Sequence, residues 1–148
     1  MTRNRVRPRR EDGFTLVELL VVIVIIGLLA TVVVINVLPS QDRAMVEKAR
    51  ADVSTLEQSL EMYRLDNLTY PTTTQGLAAL TAAPTGLERP ERYRPGGYVR
   101  RLPEDPWGRP YQYAFPGRRN ATGPDVWSFG ADGVEGGEGN DADVGNWN

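Results

Sequence analysis

The 148-residue sequence contains no cysteine and no histidine. The first absence excludes a disulfide framework, thiolate metal sites and a cysteine nucleophile. The second removes the commonest general base and the commonest transition-metal ligand, so most enzyme templates fail at this step. Basic residues are missing after Arg119, where Asp125, Asp132, Glu135, Glu138, Asp141 and Asp143 all follow. Such an end repels nucleic acid and suits a cation. The length allows one ordinary domain, or a membrane segment with one small domain, and no large multi-domain machine.

The charge that is present is unevenly placed. Arg3, Arg5, Arg7, Arg9 and Arg10 against Glu11 and Asp12 give residues 1–13 a net +3, and the rest of the chain sets 12 basic against 17 acidic side chains, a net −5. Directly after the basic start comes "FTLVELLVVIVIIGLLATVVVINVL", Phe14 to Leu38, with Glu18 as its single charge. A run of this length spans a bilayer as a helix, which needs roughly 20 apolar residues. A cleaved secretory signal would have an apolar core of only about 7–15 residues and a small-residue cleavage site. The arginines before the run predict a cytoplasmic N-terminus, with everything after residue 38 on the far side.

The next stretch, "PSQDRAMVEKARADVSTLEQSLEMYRLDN", places Val46, Ala49, Val53, Leu56, Leu60 and Tyr63 three and four residues apart. That spacing predicts one apolar stripe on a helix whose other faces carry Glu47, Lys48, Arg50, Asp52 and Glu57. Pro39 lacks the N–H that a helix interior uses, so a kink or brief break is expected there. Beyond Asn67 the chain divides into short pieces between proline and glycine. Gln75 to Thr81 reads as a short helix. "GGYVRRL", "RPYQYAF" and "DVWSFG" read as three short strands. Antiparallel strands packed on the amphipathic stripe make a small α+β domain. In "LPEDPWGRPYQYAF" the aromatic cluster is better read as core behind a turn at Asp105, Pro106 and Gly108 than as a ligand site.

The stretch "GFTLVELLVVIVIIG" resembles the class III signal peptide of type IV pilin-like proteins. "YPTTTQGLAAL", "LPEDPWGRPYQY" and "FGADGVEGGEGNDADVGNW", in that order, resemble the major pseudopilins of type II secretion systems. The resemblance implies a type IV pilin-like α+β fold: a long N-terminal helix packed on a small antiparallel sheet, with a C-terminal calcium-binding loop. It divides the chain into a leader, 1–13, that is removed; a transmembrane and assembly helix, 14–38; an amphipathic helix, 39–66; and a periplasmic region, 67–148, with the calcium loop at 125–147. It implies cleavage between Gly13 and Phe14 by a prepilin peptidase and methylation of the new Phe14 amine. In many relatives a proline interrupts the apolar helix where this chain has Ile35, so the usual point of unwinding is shifted or lost. The function implied is structural, not enzymatic. Subunits leave the inner membrane and polymerise into a periplasmic pseudopilus that supports export of folded proteins across the outer membrane. The partners would be further copies of the chain, minor pseudopilins, an inner-membrane assembly platform and the peptidase.

Two sites have competing readings. Glu18 either reaches for lipid headgroups or, as the resemblance implies, pairs with the amine that cleavage creates at Phe14, since an opposite charge keeps a carboxylate ionised at low dielectric. The acidic tail reads as disorder on composition alone. Its carboxylates and glycines also suit a hard, oxygen-loving cation, and Trp127, Phe129 and Trp147 bracket it. The segment is not an EF-hand. The resemblance makes the ligands of a bound calcium Asp132, Asp141 and Asp143 with the carbonyl of Phe129. Two alternatives stay open: a surface type IV pilus subunit, disfavoured by the absence of cysteine, and a membrane-anchored calcium-dependent binding module.

Overall fold

The computed structural model describes residues 13–147, without the side chains of 34–40. The basic leader ahead of Gly13 therefore lies outside the described residues. One α-helix, α1, runs Leu16–Asn67, so the expected break at Pro39 does not interrupt it. The chain forms two compact units, divided between Pro39 and Ser40.

In the first unit the apolar side chains face outward. Leu16–Val33 has a mean hydropathy of 3.0 with none of its length buried. Leu16 is 87% exposed and Ile23 65%. An apolar surface this continuous is far larger than the scattered hydrophobics of an ordinary soluble face, and its length matches a membrane span.

The second unit buries the same kinds of residue. Ala49, Val53, Leu56, Leu60 and Tyr63 are all buried along one face of α1, as their spacing requires. Val46, the first position of the stripe, is only half-buried. Against this face pack Tyr70, Leu77, Ala79, Leu80, Tyr111 and Val126. Leu77–Leu80 is a short 3₁₀ turn inside the segment expected to be helical. Three strands, β1 (Gln112–Ala114), β2 (Asp125–Ser128) and β3 (Val144–Gly145), form an antiparallel sheet in the order β1-β2-β3. Tyr113 pairs with Val126, and Ser128 with Val144.

Two of the three expected strands are present, and one is not. "GGYVRRL" is irregular: Gly96 and Gly97 have positive φ, and the N–H groups of Tyr98 and Val99 both donate to the Leu80 carbonyl instead of to a strand partner. The third strand comes instead from the end of the acidic tail. The aromatics of "YQYAF" are core, as expected. Tyr111 donates to Asp52 Oδ2 at 2.9 Å and Tyr113 to the Pro71 carbonyl at 2.7 Å. Burial pushes both hydroxyls above their ordinary pKa.

The tail is tied back to α1 by Asn146. Its Nδ2 donates to Glu57 Oε1 at 3.2 Å and to the Pro124 carbonyl at 2.9 Å, and its Oδ1 accepts the Val126 N–H at 3.1 Å. Buried carboxylates fix the two turns beside the sheet. Asp105, 4% exposed, accepts the N–H groups of Trp107 and Arg109 on Oδ1 and the Ser128 hydroxyl on Oδ2. Asp125, 3% exposed, accepts three consecutive N–H groups, from Arg118, Arg119 and Asn120. Several backbone amides gathered on one buried carboxylate hold each turn in shape.

Candidate functional site

Two places hold the residues singled out by sequence. The first is the start of α1. Gly13 and Phe14 precede the helix, and Phe14 is 77% exposed. Thr15 caps it: its Oγ1 accepts the Glu18 N–H at 3.2 Å. Thr15 and Glu18 thus stand at the N-cap and N3 positions of a T-x-x-E capping signature. The signal for this cap is local, the "TLVE" spacing itself, and the isolated charge of Glu18 obscures it. Glu18 is exposed and is the acidic residue of the first turn, where the helix N-terminus favours negative charge.

The second place is the acidic connection between β2 and β3. It is folded. Ala131 N–H donates to the Asn140 carbonyl at 2.9 Å and Asp143 N–H to the Gly136 carbonyl at 3.0 Å. Gly139–Asp141 forms a 3₁₀ turn. Glycine is required for this closure at Gly130: φ is +67°, and a Cβ would lie 2.7 Å from the carbonyl oxygens of Asp141 and Ala142. Trp127 packs edge-on to Phe129 at 5.9 Å and against Trp147 at 6.0 Å, closing the base of the loop.

The proposed ligands are placed differently from one another. Asp132 is exposed, and its Oδ1 accepts the Val134 N–H at 3.0 Å. Asp141 is exposed at the end of the 3₁₀ turn. Asp143 turns inward, its side chain 8% exposed, and its Oδ2 accepts the Gly136 N–H at 3.1 Å. Phe129 is half-buried at the loop's entry. Among the described residues, no three carboxylates converge into a metal-holding group. The donors nevertheless suit calcium by kind: all are oxygens, and carboxylates and backbone carbonyls are ordinary calcium ligands.

Two arginines that the sequence did not single out border this loop. Arg109 donates through Nη2 to the carbonyls of Gly130 and Ala131, at the loop's start. Arg119 places its guanidinium 4.7 Å from the centre of the Trp147 ring and 3.9 Å from Asp143 Oδ2, at the loop's end. Neither is adjacent to the tail in sequence, so no local pattern signals them.

A helix with a membrane-length apolar segment at one end and a small antiparallel sheet domain built on its other end defines the pilin-like class of filament subunit. Comparison with known proteins narrows the class. The family described as Type II secretion system (T2SS), protein G, matches residues 36–147, and the Prokaryotic N-terminal methylation motif matches residues 8–34. The chain is 54% identical over 142 residues to the type II secretion system core protein G of Vibrio cholerae, covering 96% of this chain and 95% of that one. It is 51% identical over 140 residues to the core protein G of Pseudomonas aeruginosa, covering 94% and 96%. The crystal structure of the major pseudopilin of enterohaemorrhagic Escherichia coli superposes with a TM-score of 0.65 at 47% identity, over 76% of this chain and 90% of that one. The chain belongs to the type II secretion system protein G family, the major pseudopilins. It is a structural subunit and not an enzyme.

Proposed function

We propose that this chain is inserted in the inner membrane with residues 1–13 in the cytoplasm, is cut between Gly13 and Phe14, is methylated on the Phe14 amine, and then polymerises into a periplasmic pseudopilus. The observation that carries the reading is an exposed apolar run, Leu16–Val33, in a chain whose other unit has a closed core. Such a surface needs lipid before assembly and neighbouring copies after it. Its partners are copies of itself, minor pseudopilins, the inner-membrane assembly platform and the prepilin peptidase.

Glu18 pairs in this scheme with the Phe14 amine of the same or an adjacent subunit. Thr15 supports that pairing, since it starts the helix immediately after Phe14 and leaves the amine outside it. Co-expression with a prepilin peptidase, followed by N-terminal mass spectrometry, should find a chain beginning at methylated Phe14. In the same cells Glu18→Gln should be processed but should fail to enter filaments; normal assembly by that variant would defeat the pairing.

Calcium binds between β2 and β3 through Asp132, Asp141, Asp143 and the Phe129 carbonyl, with further backbone carbonyls completing the shell. The oxygen-only donor set and the ordered glycine loop support this. Bound calcium would supply fixed positive charge that holds the acidic loop closed. Added calcium should raise the melting temperature, and Asp132→Ala should abolish that rise; a chain whose melting ignores calcium at micromolar to millimolar levels would rule the site out.

A further inference from the structure

The acidic loop has a cation of its own. Asp132, Glu135, Glu138, Asp141 and Asp143 lie on one short connection, with no basic residue inside it. Asp143 is the most enclosed of the aspartates read as ligands, and the guanidinium facing it comes from the turn before β2. That turn is pinned. Asp125 takes the N–H groups of Arg118 at 2.6 Å, Arg119 at 2.9 Å and Asn120 at 2.8 Å, so the Arg119 backbone has little freedom. Its side chain then lies over Trp147, a stacking contact that guanidinium favours.

We propose that Arg119 is the counter-ion of Asp143 when no divalent cation is bound, and that a divalent cation entering the loop must displace it. The proposal deepens the calcium reading and rests on it. One carboxylate cannot serve a dication and a guanidinium at full strength together, because the two cations repel at that range. The Arg119 side chain is half exposed and its nitrogen is 3.9 Å from Asp143 Oδ2, so the bond to be broken is a weak one. The Trp147 face keeps the displaced guanidinium close by. Arg119 is thus a positioning residue for the metal-free loop and a competitor for the metal. Arg109 holds carbonyls and no proposed carboxylate ligand, so it takes no part in the exchange.

The test is calcium titration of the full chain in detergent micelles, by calorimetry and by thermal melting, for the wild type, Arg119→Gln and Arg119→Lys. Arg119→Gln should bind calcium roughly threefold or more tighter, since its competitor is gone. Without calcium it should melt below the wild type, and the gap should narrow at saturating calcium. Arg119→Lys should resemble the wild type in affinity. In an Asp143→Asn background, Arg119→Gln should lower the metal-free melting temperature by less than it does alone, since only the Trp147 contact is then lost. If the wild type binds calcium but Arg119→Gln binds it equally or more weakly, the exchange is overturned and the calcium site stands. If the wild type binds no calcium, both are overturned.

Discussion

The two ends of α1 put the same residue types to opposite uses. Leu19, Leu20 and Leu29 are more than half exposed, while Leu56 and Leu60 on the same helix are at most 1% exposed. The difference lies in what surrounds each stretch in the sequence. After residue 40 charged side chains occupy the remaining faces of the helix, so only one stripe has to be hidden and a small domain suffices to hide it. Between Phe14 and Val33 Glu18 is the only charge, and hiding every face takes a bilayer or a bundle of other copies. The second unit therefore holds its stability internally, and the first borrows its environment.

The sharpest way to break that comparison is a pair of identical truncations. Leu60→Ala should cost about 2–5 kcal/mol in urea unfolding followed by tyrosine and tryptophan signals. Leu20→Ala should leave that transition in place, and an equal cost at both positions would show the two units to be one. Asp105→Ala should come next at about 3 kcal/mol, because it leaves two amides, the Ser128 hydroxyl and Arg109 without their common acceptor. Asp105→Asn should recover part of the loss.

A pH series sharpens the same boundary. Tyr70 donates to Glu61, and burial with that hydrogen bond pushes the Tyr70 hydroxyl up from 10.0 to about 12. A raised pKa means the stabilisation is whole below about 10 and drains away as pH climbs toward about 12. Tyr70 also holds Glu61 below its ordinary 4.5, so that part is present above 4.5 and lost as the medium becomes more acidic. Tyr70→Phe should make both limbs of the stability profile shallower, and an unchanged profile would separate the pair from folding. The smallest effect belongs to the helix surface. Arg50 and Glu47 are 3.4 Å apart and mostly exposed, so Arg50→Ala should move stability by less than about 0.5 kcal/mol.

Periodicity made the helix legible, since a stripe at spacings of three and four fits one helical face and would scatter over both faces of a strand. The sheet was only partly legible. β1 and β2 are aromatic or β-branched runs with turn residues around them, whereas β3 is two residues, Val144 and Gly145, inside a glycine-rich acidic stretch. No alternation can be seen in two residues. "GGYVRRL" has strand composition, but its amides are taken by the Leu80 carbonyl, a partner that only the folded core supplies. At the loop the acidic residues were visible and the arginines were not. Arg109 and Arg119 reach it through turns fixed by Asp105 and Asp125, and a carboxylate whose partners are backbone amides leaves no signature in side-chain spacing.

Asn146 sets an order of events. It joins Glu57, 89 positions earlier, to the Pro124 carbonyl and to the edge of β2. Contacts so distant in sequence carry a larger loop-closure cost than local ones. α1 and the first two strands all precede Asn146 in the chain, so the groups it links are made before it is. The polar ties between helix and sheet that run through Asn146 therefore wait for the residues that follow β3.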